Sequence, residues 1–281
     1  MGILFWSGFF SFLFVWLGCG SRTHDQMSGK KVRCVSLVPS ITEIVYALKA
    51  EEQLLGTTNQ CDFPRAANEK PKVGDFQSPD IERIIALKPD VVFATRPIHQ
   101  RLIERLRELK LRVYVSVPAN IEMVFAEIES VGAILGRIQE AKKLVADLQR
   151  RLDSLPDFTN RPKVYVEIAL APLMSVGSGV FINDIIRRAG GENIFEKLNV
   201  PYPVVDPEAV AEANPDIILV LHPLTSKDEV EKRVGWSNIR AVRSGRVFCN
   251  FDEDLFFRPG PRLVDGVMLL ARLLHPEEFS R

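Results

Sequence analysis

The sequence has no excess of either charge, because Lys plus Arg total 36 and Asp plus Glu also total 36. A balanced chain without a basic run presents no electrostatic footprint for nucleic acid, so we expect no nucleic-acid partner. Walker A, G-x-S-x-G and H-E-x-x-H motifs are also missing from the chain. The sequence therefore predicts neither a nucleotide-driven machine nor a common hydrolase, and we expect a protein that is not an enzyme.

Cysteine is scarce, with four residues in 281. Beyond Cys19, the chain contains Cys34, Cys61 and Cys249, whose spacing fits no zinc motif. An odd number allows at most one disulfide, and whether Cys61 or Cys249 forms one stays open. Cys34 lies in the apolar run "VRCVSLV", which predicts a buried strand and a buried thiol.

The first 21 residues, "MGILFWSGFFSFLFVWLGCGS", carry no charge. The apolar core from Ile3 to Leu17 has the length of a signal-peptide hydrophobic region and is short for a spanning helix. Cys19 follows Gly18 in a segment that resembles the lipobox of bacterial lipoproteins. We expect a signal peptide at 1–18, lipidation of Cys19 and a tether at 19–30. A signal that is cleaved without lipidation, or an uncleaved anchor, are the alternatives.

Two stretches of the chain repeat one pattern: "ERIIALKPDVVFATRP" at 82–97 and "EAVAEANPDIILVLHP" at 208–223. Each predicts a short helix that is stopped by a proline and followed by a buried parallel strand. In the first copy we expect Ser78 to cap the helix and Ile81, Ile84, Ile85 and Leu87 to form its apolar face. In the second copy, Asp206 caps, Pro207 opens the helix, and Val210, Ala211 and Ala213 face inward.

Strand and helix patterns alternate through the rest of both halves, which predicts an α/β fold of two doubly wound parallel-sheet lobes. Between them, the segment "IQEAKKLVADLQRRLDSL" places Ile138, Ala141, Val145, Leu148 and Leu152 on one face of a long connecting helix. Gly132 and Gly136 are expected to interrupt the helical pattern before it. We predict an N-terminal lobe at 31–136, the connecting helix at 137–157 and a C-terminal lobe at 158–281.

The chain resembles the class III periplasmic substrate-binding proteins of ABC importers, which carry cobalamin, haem and siderophores. The resemblance covers residues 31 to 276 and rests on an ordered set of segments, namely "VSLVPSITEIVYAL", "TNQCDFP", "VGDFQSPDIERIIALKPD", "GGENIF" and "RPGPRLVDG". The cobalamin-binding branch is the most similar. The resemblance implies an ABC permease dimer with its ATPase as partner, a periplasmic or cell-surface location, and cobalamin as a transported ligand rather than a cofactor.

In this family, one acidic residue on each lobe docks onto permease arginines. The matching positions here are Glu82 and Glu208, which stand at the same distance from Pro-Asp in the two repeats. Carboxylate–guanidinium pairs are charge-assisted and fix orientation. A carboxylate in the first turn of a helix also interacts favourably with the helix dipole, so a purely local role is the alternative.

Ligands of open α/β sheets bind beyond the carboxyl ends of the strands, so residues that follow strands are the candidates. The sequence places the following in that position: Ser40, Asp62, Phe63, Phe76, Arg96, Phe181, Tyr202, Phe256, Phe257 and Arg258. Aromatic rings with a few polar groups suit a flat macrocycle such as a corrin. Phenylalanine and tyrosine replace the tryptophans frequent in cobalamin binders, which leaves haem or another metal chelate as alternatives. An extracytoplasmic sensor on the same fold is a third.

Two of the four histidines, His99 and His222, follow the two matched strands. Both could therefore approach a cleft between the lobes. Two histidines without accompanying carboxylates are too few for a metal-importer site, so we expect no metal ion held by this chain.

Overall fold

The computed structural model describes residues 31–279. The predicted signal peptide, the tether and the lipidation site at Cys19 lie outside the described residues. Within 31–279, no helix is long and apolar enough to cross a membrane.

The first lobe is built on a parallel sheet with strand order β2-β1-β3-β4. Its strands are short and mostly buried on both faces, as their runs of Val, Leu and Phe predict. Its elements are β1 (Cys34–Ser36), α1 (Pro39–Ala47), β2 (Leu54–Thr57), α2 (Ile81–Ala86), β3 (Val91–Thr95), α3 (Gln100–Glu108), β4 (Val113–Ser116) and α4 (Ile121–Ile134).

The second lobe follows the long helix α5 (Ile138–Asp153). Its parallel sheet has the order β10-β9-β5-β8, and a small antiparallel hairpin, β6-β7, stands apart. Its elements are β5 (Lys163–Glu167), β6 (Ala169–Leu170), β7 (Leu173–Met174), α6 (Phe181–Arg188), β8 (Glu192–Asn193), α7 (Pro207–Ala213), β9 (Ile217–Val220), α8 (Lys227–Glu231), α9 (Arg240–Arg243), β10 (Val247–Phe248), α10 (Asp254–Phe257) and α11 (Leu263–Leu274).

The two sheets have one strand order. In each, the first strand of the lobe stands second, between the next strand and the one after that, and the last strand closes the far edge. The two repeated stretches supply α2 with β3 and α7 with β9, which are equivalent elements. The predicted fold class is therefore confirmed, and the repeat records equivalent places in two similar lobes.

Several local predictions are wrong in detail. The cap of α2 is Asp80, whose carboxylate accepts from the N–H groups of Glu82 and Arg83, and Ser78 lies outside the helix. Ile85 is 41% exposed and Ile138 is 49% exposed, so neither belongs to the buried face of its helix. Gly132 lies inside α4, where a side chain would collide with Ala141 of α5. Only Gly136, with φ +69°, ends the helical run.

The long helix α5 has 16 residues and so spans about 24 Å. Its buried Leu148 and Leu152 belong to one hydrophobic cluster that reaches Cys34 of the first sheet and Val164 of the second. Both lobes thus share a continuous core, and the described residues 31–279 belong to one compact unit. The lobe boundaries at 136 and 158 stay a prediction.

Candidate functional site

A cleft of about 700 Å³ opens between the two lobes. One wall is formed by the turns that follow β1, β3 and β4, and the other by the start of α6, the loop around Tyr202 and the end of α10. Because the strands of each sheet are parallel, their carboxyl ends lie along one edge. The cleft lies at that edge, where ligands of such sheets bind.

Most of the residues chosen from the sequence line this cleft. They are Ser40, Phe76 and Arg96 from the first lobe and Phe181, Tyr202, Phe257 and Arg258 from the second. Tyr202 is 44% exposed and Phe257 is 37% exposed, so both rings offer surface to a ligand. The structure therefore brings aromatic side chains from both lobes to the same space.

Three predicted residues lie elsewhere. Phe256 is 1% exposed and packs edge-on against Phe251, with ring centroids 5.9 Å apart, so it lies on the core side of α10, whereas its neighbour Phe257 lines the cleft. Phe63 is covered on one face by the guanidinium of Arg262, 3.8 Å from its ring centroid. Asp62 does not line the cleft but binds Arg258, which does.

His99 supports the cleft wall from behind. It is 1% exposed, its Nδ1 accepts the N–H of Thr95 at 3.1 Å, and its Nε2–H therefore donates to the carbonyl of Phe76 at 2.5 Å. Burial lowers the pKa of this imidazole below its usual value, which favours the neutral form. His99 therefore does not reach the cleft as expected, but fixes the backbone that carries Phe76.

A group of charges joins the lobes at one end of the cleft. Arg258 donates to Asp254 at 2.8 Å, to Asp62 at 2.7 Å and to Glu43 at 3.4 Å. Arg262 donates twice to Glu43, at 3.0 and 2.8 Å, and to Asp252 at 2.8 Å. We call this set of six residues the interlobe ion cluster.

The interlobe ion cluster shifts the pKa values of its acids in opposite directions. Burial raises the pKa of Glu43, and the hydrogen bonds and charges of Arg262 and Arg258 limit that rise. Burial opposes the charge of Asp62 as well, but there the hydrogen bond from Arg258 holds the pKa below its usual value. Because Glu43 lies on α1 and both arginines follow β10, these contacts fix one lobe against the other.

A second ion cluster lies at the carboxyl end of β5 in the second lobe. Glu167, at the end of β5, is fully buried and accepts from Arg233 at 2.5 and 2.7 Å and from His222 Nε2 at 3.0 Å. Arg233 also covers the ring of Trp236 at 4.7 Å. His222 is therefore held inside the lobe and does not approach the cleft, contrary to expectation. We call Glu167, His222 and Arg233 the sealed triad.

The sequence reading missed most of the apolar wall. Pro97, Ile98, Val117 and Pro118 line the cleft beside Arg96, and Ile98 and Val117 are 48% and 52% exposed. Each follows the carboxyl end of β3 or β4, so position alone would have found them. Their apolar chemistry gave no signal, because Val and Ile are usually assigned to the core.

The three described cysteines are all free, and Cys34 and Cys61 are buried. Burial raises the pKa of the Cys34 thiol to about 12, as expected for a thiol inside a strand. Residues 31–279 contain no group of three or more His, Cys, Asp or Glu side chains that could hold a metal ion.

Glu82 and Glu208 are exposed in the first turns of α2 and α7. A helix that precedes a strand of a parallel sheet begins at the carboxyl edge, so both glutamates lie on the cleft side of their lobes. The match extends further than the sequence reading noticed. Phe76 and Tyr202 stand six residues before the glutamates, and Asp80 and Asp206 stand two before.

Two parallel-sheet lobes around an interlobe cleft define a solute-binding protein. Residues 34–250 match the family model described as "Periplasmic binding protein". The chain belongs to this family, in the class that serves ABC importers. The predicted family is therefore confirmed, and so is the expectation that the protein is a binding protein and not an enzyme.

Individual relatives differ in what they bind. The chain is 31% identical to an uncharacterized ABC transporter substrate-binding lipoprotein, YvrC, of Bacillus subtilis, over 88% of this chain and 81% of that one. It is 27% identical to a vitamin B12-binding protein of Vibrio parahaemolyticus, over 89% and 90% of the two chains. A solved periplasmic heme binding protein of Pseudomonas aeruginosa superposes with a TM-score of 0.72, at 26% identity over 88% and 93%.

Proposed function

We propose that the chain captures a corrinoid in the interlobe cleft and delivers it to an ABC importer. The observation that carries this proposal is the pairing of aromatic side chains across the cleft, Phe76 from one lobe with Tyr202 and Phe257 from the other. A flat macrocycle between such rings buries both faces and leaves its rim for hydrogen bonds. The similarity to a vitamin B12-binding protein supports the corrinoid.

Haem, or another flat metal chelate, is the second candidate. The cleft volume of about 700 Å³ favours it, because a haem would be enclosed whereas a complete corrinoid would extend from the mouth. The similarity to a heme binding protein supports it equally.

The visible spectrum separates these candidates. The purified protein is mixed with cyanocobalamin or with haem, passed through a desalting column and scanned. A corrinoid band that elutes with the protein supports the first candidate, and a shifted Soret band supports the second. Elution of both ligands without protein would contradict both and favour a sensor that keeps only the fold.

Glu82 and Glu208 are the proposed contacts with the permease. Both are exposed, both lie at the start of equivalent helices, and neither side chain forms an ion pair within residues 31–279. Neither lines the cleft. Each carboxylate is therefore available to an arginine of a different permease subunit, with the ATPase bound on the other side.

Charge reversal tests this docking. The double variant Glu82→Arg, Glu208→Arg should abolish most ligand uptake by the reconstituted importer and leave ligand affinity unchanged, because it opposes like charges at both contacts. The loss should shrink at high salt, since exposed charges are screened within about 8 Å at physiological ionic strength. Glu104→Arg, on the exposed face of α3, is the control. Normal transport by the double variant would reduce both glutamates to helix-start residues.

Lipidation of Cys19 is proposed from the sequence, and the lipoprotein name of a relative supports it. Cells that express the wild type or the Cys19→Ala variant are grown with labelled palmitate. Label on the wild type alone, with release of the variant from the membrane fraction, is the expected result. An unlabelled wild type would contradict the proposal.

A further inference from the structure

The polar groups of the cleft wall are mostly occupied by the protein itself. Gln60 Oε1 accepts the N–H of Phe76 at 2.7 Å, and the hydroxyl of Thr95 donates to the carbonyl of Ser116 at 2.7 Å. The hydroxyl of Ser116 donates to Glu127 at 3.0 Å. These groups hold the wall together and have little capacity left for a ligand.

Three charged side chains line the cleft: Arg96, Asp254 and Arg258. Arg258 is surrounded by Asp254, Asp62 and Glu43, so its charge is already compensated. The guanidinium of Arg96 forms no hydrogen bond or ion pair with any residue of 31–279. Of the three, Arg96 is therefore the one whose side chain has no ion-pair partner among the described residues.

Binding of a large ligand makes this imbalance costly. A macrocycle that fills the cleft removes water from Arg96, and an isolated charge in such a setting is strongly disfavoured unless an opposite charge meets it. Among the other polar side chains of the wall, the hydroxyl of Tyr202 has no partner within the described residues and can donate, whereas the unpaired hydroxyl of Ser40 is buried. The guanidinium of Arg96, which can only donate, therefore requires an acceptor from the ligand.

The placement of Arg96 and Ser40 agrees with this requirement. Ser40 follows β1 and Arg96 follows β3, which are adjacent strands from which the chain departs to opposite sides. This is the switch point where open α/β sheets bind ligands. Ser40 also lies in the first turn of α1, a helix of nine residues whose cap position, Val38, provides no side-chain acceptor. Its free N–H groups add positive potential beside Arg96.

We infer that the ligand carries an anionic group, a carboxylate or a phosphate diester, that binds Arg96 at the N-lobe wall of the cleft. The inference rests on the proposed function, because it assumes that the interlobe cleft holds the ligand. It assigns Arg96 the role of the specificity-determining residue, which separates anionic macrocycles from neutral ones of the same shape. The two sources of such an anion are the propionates of a haem and the phosphate of a corrinoid nucleotide loop.

The experiment uses two matched ligand pairs. Haem is compared with its dimethyl ester, and cyanocobalamin with cobinamide, which lacks the phosphate-linked nucleotide. Each ligand is titrated into the wild type and into the Arg96→Gln and Arg96→Lys variants. The control is Arg101→Gln, which removes an exposed arginine of the same lobe that does not line the cleft. Thermal unfolding verifies that all variants are folded.

For the pair that binds, Arg96→Gln should weaken binding of the member that carries the carboxylates or the phosphate about tenfold, and leave binding of the member without that group within about twofold. Arg96→Lys should retain part of the difference in affinity between the two members of the pair, because lysine keeps the positive charge but lacks the planar guanidinium that binds an anion through two hydrogen bonds. The pair that shows the effect identifies whether carboxylate or phosphate is the source.

Equal losses for both members, or none for either, would overturn the inference while leaving the cleft as the ligand site. Failure of the wild type to bind any of the four ligands would instead remove the proposed function, and this inference with it.

Discussion

The turn after the third strand of each sheet lies in two different environments. In the first lobe it brings Arg96 to the cleft wall, where it remains open to a ligand. In the second lobe the equivalent turn brings His222 inward, onto Glu167, which also binds Arg233 of the sealed triad. Equivalent positions in a duplicated architecture therefore do not share a role. At this turn the first lobe leaves an arginine open for recognition, and the second lobe buries its histidine among charged groups.

Breaking the sealed triad should produce the largest effect. Arg233→Met leaves the fully buried Glu167 without its bidentate partner, which should lower the free energy of unfolding by about 3–5 kcal/mol. Urea titration at constant pH measures it. The double variant Arg233→Met, Glu167→Leu should recover most of the loss, because it removes the orphaned charge as well.

A matched control is Arg150→Met, which breaks an exposed pair with Asp147 at 2.9 Å and should cost no more than about 1 kcal/mol. A loss of stability of similar size in both arginine variants would contradict the prediction that the buried triad contributes more to stability than an exposed ion pair.

The first-lobe wall of the cleft contains a buried acid, Glu127. Its ionisation should lower the free energy of unfolding by about 2–3 kcal/mol between pH 5 and pH 8. Burial raises the pKa of Glu127 to about 7, against hydrogen bonds from Ser116 and Tyr114. The folded state binds this proton more tightly than the unfolded state. The stability that this tighter proton binding contributes is therefore fully present below pH 4.5 and is lost as the pH rises through 7.

The measurement compares wild type with Glu127→Gln by urea titration at pH 5 and pH 8. The wild type should lose stability relative to the variant over this interval, because the glutamine cannot ionise. A constant difference at the two pH values would show that Glu127 is not a buried neutral acid in solution.

Removing a cleft aromatic should weaken ligand binding by about 1–3 kcal/mol and leave stability almost unchanged. Tyr202→Ala tests the second lobe and Phe76→Ala the first, with calorimetry on whichever macrocycle binds. Val234→Ala, at a position 97% exposed, is the control for a lost apolar surface residue. Unchanged affinity in both aromatic variants would place the ligand outside the cleft.

The smallest effect should be the change of shape on ligand binding. The interlobe ion cluster and the shared core join the lobes, and bending α5 would break its backbone hydrogen bonds. Small-angle scattering should give nearly equal radii of gyration with and without ligand. A clear decrease would show that the two edges move against each other and that the cleft closes.

The fold was predictable because the two repeats each couple a helix stop to a buried strand, a pattern that local physics determines. The cleft aromatics Phe76 and Tyr202 were also predictable, because both were placed among the residues that follow strands, where ligands of open α/β sheets bind. The different positions of Phe256 and Phe257 could not be predicted. Adjacent residues of a short helix point in different directions, and only the packing of the folded chain decides which of the two is buried.

The ion clusters were equally hidden. Glu43 and Arg262 are 219 residues apart in the chain, and Glu167 and Arg233 are 66 apart. No local periodicity or motif joins such pairs, so their burial could be known only from the folded chain. The same holds for His99 and His222, whose expected approach to the cleft ignored the buried acceptors that hold them elsewhere.

The shared core has a consequence for the order in which the chain can fold. Cys34 and Ile41, near the beginning of the described chain, belong to the same hydrophobic cluster as Leu270 and Leu274 of α11, the last long helix. An incomplete chain that ends before Leu263 would leave part of that apolar surface in water. Premature termination before α11, or its proteolytic loss, would therefore not yield a folded first lobe. It would yield an aggregation-prone fragment whose exposed apolar surface chaperones and proteases recognise.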